Sequence, residues 1–259
     1  MTKKIVAIGG GENGREIENN QFLPYETKSI DEEIVSLTNK KKPNYLFIVH
    51  SQDSLEIQDS YFQTMKKIYG DIFKCNCKDL KSNELDNSEM VKEKIDWADI
   101  IYEGGGDTDL MISLWKKTGF DKVLYNAWKD GKVISGISAG AVCWFNACNS
   151  DSETSTEEFG VVNCLNWFDL FITPHCNEEG RYESTKEQIK ENGKVALMLS
   201  NKAALEIIDD KYRIIFSDYD IGEKPFAIKA YWDNGVYKEK SFTSTDEFLP
   251  IEELLSKDI

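Results

Sequence analysis

Lys132-Val133-Ile134-Ser135-Gly136-Ile137-Ser138-Ala139-Gly140-Ala141 is the stretch that decides the fold. Lys132–Gly136 is a short apolar run and reads as a buried strand. It leads into Gly136-Ile137-Ser138-Ala139-Gly140, a G-x-S-x-G pattern at a predicted strand-to-helix junction, the context a nucleophile elbow needs. A turn that sharp tolerates only the smallest residues two before and two after its tip, and Gly136 and Gly140 meet that demand. Ser138 is then pushed outward at the sheet edge, at a helix N-terminus, where the dipole and free N–H groups favour a developing oxyanion. The Ala139 N–H is the donor beside it. Ala139–Ala147 reads as a small-residue helix. The plainer alternative is a serine that caps this helix, with glycines there for packing.

Working outward, strands and helices alternate. Lys4–Ile8, Tyr45–Val49, Ile72–Cys75 and Asp99–Tyr102 read as strands. Ile30–Lys40, Leu55–Tyr69, Asn87–Ile95, Leu110–Lys117 and Phe120–Lys129 read as helices from apolar residues at helical spacing. Strands alternating with helices predict right-handed crossovers and a mainly parallel sheet, and the near-continuous apolar strands predict cover on both faces. After about residue 195 the pattern changes. Lys194–Met198, Ala203–Ile208, Arg213–Phe216 and Phe226–Tyr231 are strand-like, with turn signals at Asp209-Asp210 and Asn234-Gly235. These predict hairpins extending or flanking the sheet, followed by an amphipathic helix over Asp246–Leu255. The expectation is an α/β fold in three layers, one domain over residues 1–259, with a C-terminal β-hairpin extension from about residue 210.

A nucleophilic serine needs a base. The chain has two histidines, His50 and His175. His175 ends the apolar run Phe171-Ile172-Thr173-Pro174-His175, where a loop begins at the sheet edge. It is the preferred base, with His50 as its competitor. An orienting carboxylate is harder to choose among 46 acids. Glu206 stands inside the apolar run Ala203–Ile208, where a charge needs a partner such as an imidazolium, unless it simply faces solvent on an edge strand. Glu157, Glu158 and Asp169 are the other candidates.

Two further glycine clusters follow strands. Gly9-Gly10-Gly11-Glu12-Asn13-Gly14 matches G-x-G-x-x-G literally. Pro24 and a polar stretch separate it from the next helix, so a tight turn is expected rather than a dinucleotide site. Glu103-Gly104-Gly105-Gly106-Asp107-Thr108 leaves successive backbone N–H groups unshielded and can form half of an oxyanion hole, with Asp107 or Thr108 capping the next helix.

Composition excludes several classes. Hydrophobic residues make up 41% of the 259, enough for a packed core. Lys and Arg number 31 against 46 Asp and Glu, a net charge of −15. Such a chain repels phosphate backbones and anionic bilayers, so neither a nucleic-acid nor a membrane partner is expected. No apolar run reaches about 18 residues. The six cysteines form no Cys-x-x-Cys pair and read as reduced thiols of a cytoplasmic protein. No metal or cofactor is expected, since ligand spacing is absent.

Gly104-Gly105-Gly106-Asp107-Thr108, Gly136-Ile137-Ser138-Ala139-Gly140-Ala141 and Thr173-Pro174-His175, in this order, resemble the peptidase E family of serine peptidases, which includes aspartyl dipeptidase and cyanophycinase. The resemblance covers roughly residues 4–215. It implies a flavodoxin-like sheet similar to class I glutamine amidotransferases and a Ser-His-Glu triad, with Ser138 and His175 matching nucleophile and base and Glu206 the likeliest acid. Gly105, Gly106 and Ala139 match the oxyanion hole. Asp107 stands where aspartyl dipeptidase has asparagine, so the subfamily is uncharacterised. Arg181 and Lys186, just past the base, are the candidate cations for an acidic substrate, with Asp107 also expected at the substrate. Five positions apart on a helix, at most one of the two should point into the site.

The expected activity is cleavage of small peptides, as a dipeptidase or other exopeptidase, through an acyl-enzyme. A small peptide is the expected partner, with a homodimer as one option for assembly. Two alternatives remain: a catalytically silent amidotransferase-like binding or regulatory protein, and a thiol enzyme using Cys143 or Cys176.

Overall fold

Every residue from Ile5 to Ile8 is fully buried, because the first strand sits inside a sheet covered on both faces. The computed structural model describes residues 1–17, 21–152 and 159–258. The first half of the chain runs β1 (Lys4–Ile8), α1 (Lys28–Ser36), β2 (Asn44–Ile48), α2 (Leu55–Met65), β3 (Asn76–Leu80), α3 (Ser88–Trp97) and β4 (Ile100–Glu103). Next come α4 (Thr108–Thr118), α5 (Phe120–Lys129), β5 (Val133–Ile137), α6 (Ala139–Val142), β6 (Phe145–Ser150), β7 (Gly160–Asn163), β8 (Phe168–Thr173) and α7 (Arg181–Asn192). The remainder is β9 (Ala196–Leu199), β10 (Ala203–Ile208), β11 (Lys211–Phe216), β12 (Ala227–Asp233), β13 (Val236–Ser241), β14 (Leu249–Pro250) and α8 (Ile251–Leu255).

Two sheets form, where the sequence predicts one. The first has the order β14-β11-β10-β1-β5-β4-β2-β3. Its strands β1, β5, β4, β2 and β3 are parallel, as the alternating pattern requires. Strands β10, β11 and β14 continue it antiparallel. The second sheet has the order β13-β12-β9-β8-β6-β7. Helices α1 and α2 cover one face of the first sheet, through Ile30, Ile34, Phe62 and Met65. On its other face Ile5, Ala7 and Ile134 share a core with α3, α4 and α5 and with Leu170, Ile172 and Leu197 of the second sheet. The α/β layering and the C-terminal hairpins are therefore present. The β10–β11 hairpin turns at Asp209-Asp210 in the first sheet, and β12–β13 turns at Asn234-Gly235 in the second. Asn234 and Gly235 have φ of 50° and 79°, the left-handed pair that matches strand twist in a tight hairpin.

Several boundaries differ from the sequence expectation. The helix expected over Ala139–Ala147 stops at Val142. From Phe145 the chain pairs with β8, so burial in the second sheet overrides helix propensity. Helix α2 widens after Met65 into a π-helical turn over Lys66–Ile72. Strand β3 then begins at Asn76 rather than Ile72. The terminal helix is confined to Ile251–Leu255, because Leu249-Pro250 is taken by pairing with β11. Strand β9 is parallel to β8 and antiparallel to β12 rather than part of a local hairpin.

Candidate active site

The parallel strands deliver their C-terminal ends to one edge. There β1 gives way to Gly9, β4 to Gly104 and β5 to Ser138, and the second sheet brings His175 to the same place. Ser138 has φ 56° and ψ −117°, a backbone conformation L-residues avoid, which the packing around it must hold in place. The flanking glycines show how tight that packing is. A Cβ on Gly136 would sit 2.4 Å from the Gly140 carbonyl oxygen, and one on Gly140 would sit 2.2 Å from that of Glu103. The elbow expected from the sequence is therefore present, and both small residues are sterically required.

Ser138 lies between two cavities and lines both, as do His175 and Gly106. One, of about 490 Å³, is bounded by Gly11, Glu12, Asn13, Arg15, Ile57 and Tyr61 among others. The other, of about 740 Å³, is bounded by Gln52, Asp53, Asp107, Asp109, Asp151 and Glu178 among others. Gly105 also faces the serine: a Cβ there would be 3.3 Å from Ser138 Cβ. Its N–H points to Tyr61 Oη at 3.4 Å. Ala139 follows the serine as the first residue of α6, and Gly106 of the glycine loop lines both cavities with it. Buried Glu103 braces this loop, its Oε1 accepting the Ser51 N–H at 3.3 Å. Desolvation pushes its carboxyl well above the usual carboxylate range.

The two histidines separate cleanly. His50 is buried, with Nε2 on the Leu80 carbonyl at 2.8 Å and Nδ1 accepting from Trp115 Nε1 at 2.9 Å. Desolvation lowers its pKa to about 4, so it is a neutral core residue. His175 is half-buried, and its N–H donates to the Gly9 carbonyl at 3.0 Å.

The expected acid is not at the base. Glu206 is fully buried in β10, and its Oε2 accepts from Arg213 Nε at 2.5 Å across the β10–β11 pair. The carboxylate the sequence singled out thus has a partner, but it is a guanidinium. The group on His175 Nδ1 is Asn201 Oδ1, at 2.7 Å. Asp169 pairs with Lys194, and Glu157 and Glu158 lie outside the described residues.

The expected cations are also elsewhere. Arg181 is buried; its guanidinium pairs with Glu178 at 2.9 Å and Asp151 at 3.3 Å and stacks on Phe159. Lys186 pairs with Glu183 and lies over the Tyr237 ring. Neither lines a cavity that contains Ser138. Asp107 does line the larger cavity, while its Oδ1 caps α4 by accepting the Leu110 N–H at 2.9 Å.

Sequence reasoning missed Arg15, Tyr61 and Asn201. Arg15 follows the first glycine cluster, which reads as a plain turn; its signal was a cation beside glycines at the sheet edge. Tyr61 falls within the helix expected over Leu55–Tyr69, where an aromatic residue reads as core. Asn201 sits in the turn between β9 and β10, where asparagine is ordinary turn chemistry. Of the thiols, Cys143 is fully buried, and burial raises its pKa well above the usual thiol range. Burial also pushes Cys176 up to about 12, so neither supplies a thiolate near neutral pH. Among the described residues no cluster of potential metal ligands occurs, and no helix is long and apolar enough to cross a membrane.

A serine on a strained strand-to-helix turn, an imidazole at the same edge and unshielded backbone N–H groups beside the serine are the parts of a nucleophilic hydrolase. The chain belongs to peptidase family S51, whose family model matches residues 5–215. It is 30% identical over 249 residues to the uncharacterised peptidase YgaJ of Bacillus subtilis, covering 88% of this chain and 98% of that one. It is 28% identical over 139 residues to the uncharacterised peptidase Lin0382 of Listeria innocua, covering 51% and 65%. The crystal structure of a peptidase from an acI-B1 Actinobacterium superposes with a TM-score of 0.71 at 18% identity, over 96% of this chain and 97% of that one. At that identity the likeness is one of fold.

Proposed function

We propose that this peptidase is a serine hydrolase of short peptides that works through an acyl-enzyme on Ser138. The carrying observation is that Ser138, strained at its elbow, and His175 border the same two cavities. Ser138 Oγ attacks the peptide carbonyl carbon while His175 takes its proton. The Ala139 and Gly106 N–H groups receive the negative charge on the carbonyl oxygen. The C–N bond then breaks, His175 returns the proton to the leaving amine, and water repeats the sequence on the ester.

The cavities support a short substrate with one residue on either side of the bond, hence dipeptidase or other exopeptidase action. Both are in the size range of small-molecule sites. Arg15 makes the smaller cavity the place for a carboxylate, whether a free terminus or an acidic side chain. Treatment with a fluorophosphonate, followed by a dipeptide library screen with Ser138→Ala as control, tests the reading. Labelling of Ser138 and turnover lost in the variant are expected. A protein that neither labels nor cleaves would be a silent binding protein on this fold.

A further inference from the structure

We propose that Asn201 is the positioning residue of His175, holding the imidazole in the tautomer a base requires while supplying no charge. The proposal rests on the reading of Ser138 and His175 given above. The relay would then be Ser138-His175-Asn201, with an amide where a triad usually places a carboxylate.

The contact is short and well supported. His175 Nδ1 and Asn201 Oδ1 are 2.7 Å apart. Asn201 is fixed from both sides of its own backbone: its N–H donates to Asn177 Oδ1 at 2.8 Å, and its carbonyl accepts from Ser200 Oγ at 2.9 Å. The neighbouring glycine loop is shaped around the pair. A Cβ on Gly10 would fall 2.2 Å from both His175 Nδ1 and Asn201 Oδ1, so only glycine leaves room for the contact. The Gly10 carbonyl accepts the Lys202 N–H at 2.9 Å, and the Gly9 carbonyl accepts the His175 N–H at 3.0 Å. Three chain segments thus converge on one hydrogen bond.

An amide oxygen only accepts, so Nδ1 must carry the proton, which leaves Nε2 free to take one from a serine. A carboxylate in the same place would also stabilise the imidazolium formed in the reaction. Asn201 cannot. Several of the charged side chains that line the two cavities have partners of their own. In the smaller cavity Glu12 pairs with Arg15. In the larger one Asp151 and Glu178 pair with Arg181, and Asp107 caps α4. Asp53 and Asp109 also line the larger cavity. Lys202, next in the chain, directs Nζ to the Ile221 carbonyl. His175 works in an acidic neighbourhood with a neutral partner.

The test uses the folded protein without substrate and then with it. Nitrogen-15 NMR of the imidazoles reads the tautomer, and with only two histidines the His175 ring is assigned by comparison with His50→Gln. Wild type is expected as the Nδ1–H tautomer at pH 8. Asn201→Asp is expected to raise the titration midpoint of that ring by about one unit, because an opposite charge favours the imidazolium. Asn201→Ala is expected to lose the tautomer preference and, on any peptide the wild type cleaves, about 100-fold in kcat with KM little changed, as a misoriented base would. An Nε2–H ring in wild type, or the same midpoint in wild type and Asn201→Asp, overturns the proposal. Absence of Ser138 labelling and of turnover overturns the hydrolase reading instead, and leaves the NMR result standing by itself.

Discussion

Arg213 reaches across the β10–β11 register to put Nε 2.5 Å from the carboxylate of Glu206, and the same guanidinium meets Glu33 at 3.1 Å and Asp246 at 3.2 Å. The buried carboxylate thus belongs to a structural ion cluster behind the sheet edge. Burial raises its pKa, and Arg213 offsets only part of that rise. Glu206→Gln should therefore cost stability, about 2 kcal/mol for weakening a buried pair that keeps other partners, and leave kcat within twofold. Urea denaturation and steady-state kinetics on the same preparation check both halves. A fully folded variant that has lost activity would restore Glu206 to the site.

Charge recognition should reside in Arg15. Its side chain is about half exposed, so the gain is modest. Arg15→Met is expected to raise KM about tenfold for peptides with an acidic residue and to spare neutral ones. Lys186→Met should change neither. Arg181→Met should lower the melting temperature instead, since it strips a buried partner from Asp151 and Glu178. Kinetics on Asp-Leu and Ala-Leu with the three variants separate these outcomes.

Asp31 gives the fold a pH signature. It is buried and accepts from Tyr69 at 2.7 Å and from Thr27 and Tyr25 at 2.9 Å, with no ion-pair partner among the described residues. Desolvation outweighs these donors and raises its pKa to about 6. The folded chain then holds a proton that the unfolded chain releases near pH 4, so this group's contribution falls as pH rises from about 4 to 6 and is flat above. Two units correspond to about 3 kcal/mol. The stability difference between wild type and Asp31→Asn, followed by urea denaturation from pH 4 to 8, should change by about that amount, with the variant gaining on wild type as pH rises. A constant difference would refute the assignment.

The elbow stores strain that glycine would release. Ser138→Gly should be inactive yet melt higher than Ser138→Ala, by about 1 kcal/mol of stability, because φ 56° with ψ −117° is costly for any residue with a Cβ. Calorimetry of the two variants decides it. Equal melting temperatures would mean the surrounding loops relax with the side chain.

The elbow was legible because its demand is local: Gly136 and Gly140 must be small for the turn to exist, whatever the rest of the chain does. His175 was legible for a similar reason, as a polar residue ending an apolar strand, with only His50 to compete. The parallel core strands declared themselves through continuous burial. What stayed hidden depends on pairing at a distance. Glu206 needs a partner, as its apolar flanks imply, but the sequence does not show that Arg213 lies opposite. Asn201 and Arg15 lie in turns, where their residue types are common for other reasons. The division into two sheets is set by strand register, which the sequence leaves open beyond each hairpin, and the same pairing cut short the helices expected after Ser138 and near the C-terminus.

Strand β10 lies beside β1, nearly two hundred residues earlier in the chain, and the turn that precedes it carries Asn201 to His175. Such long-range pairing closes late in folding. During synthesis, Ser138 and His175 leave the ribosome well before the segment that completes their surroundings. Until β10 docks on β1, the nascent chain carries the serine and the histidine without the turn that holds the imidazole ring.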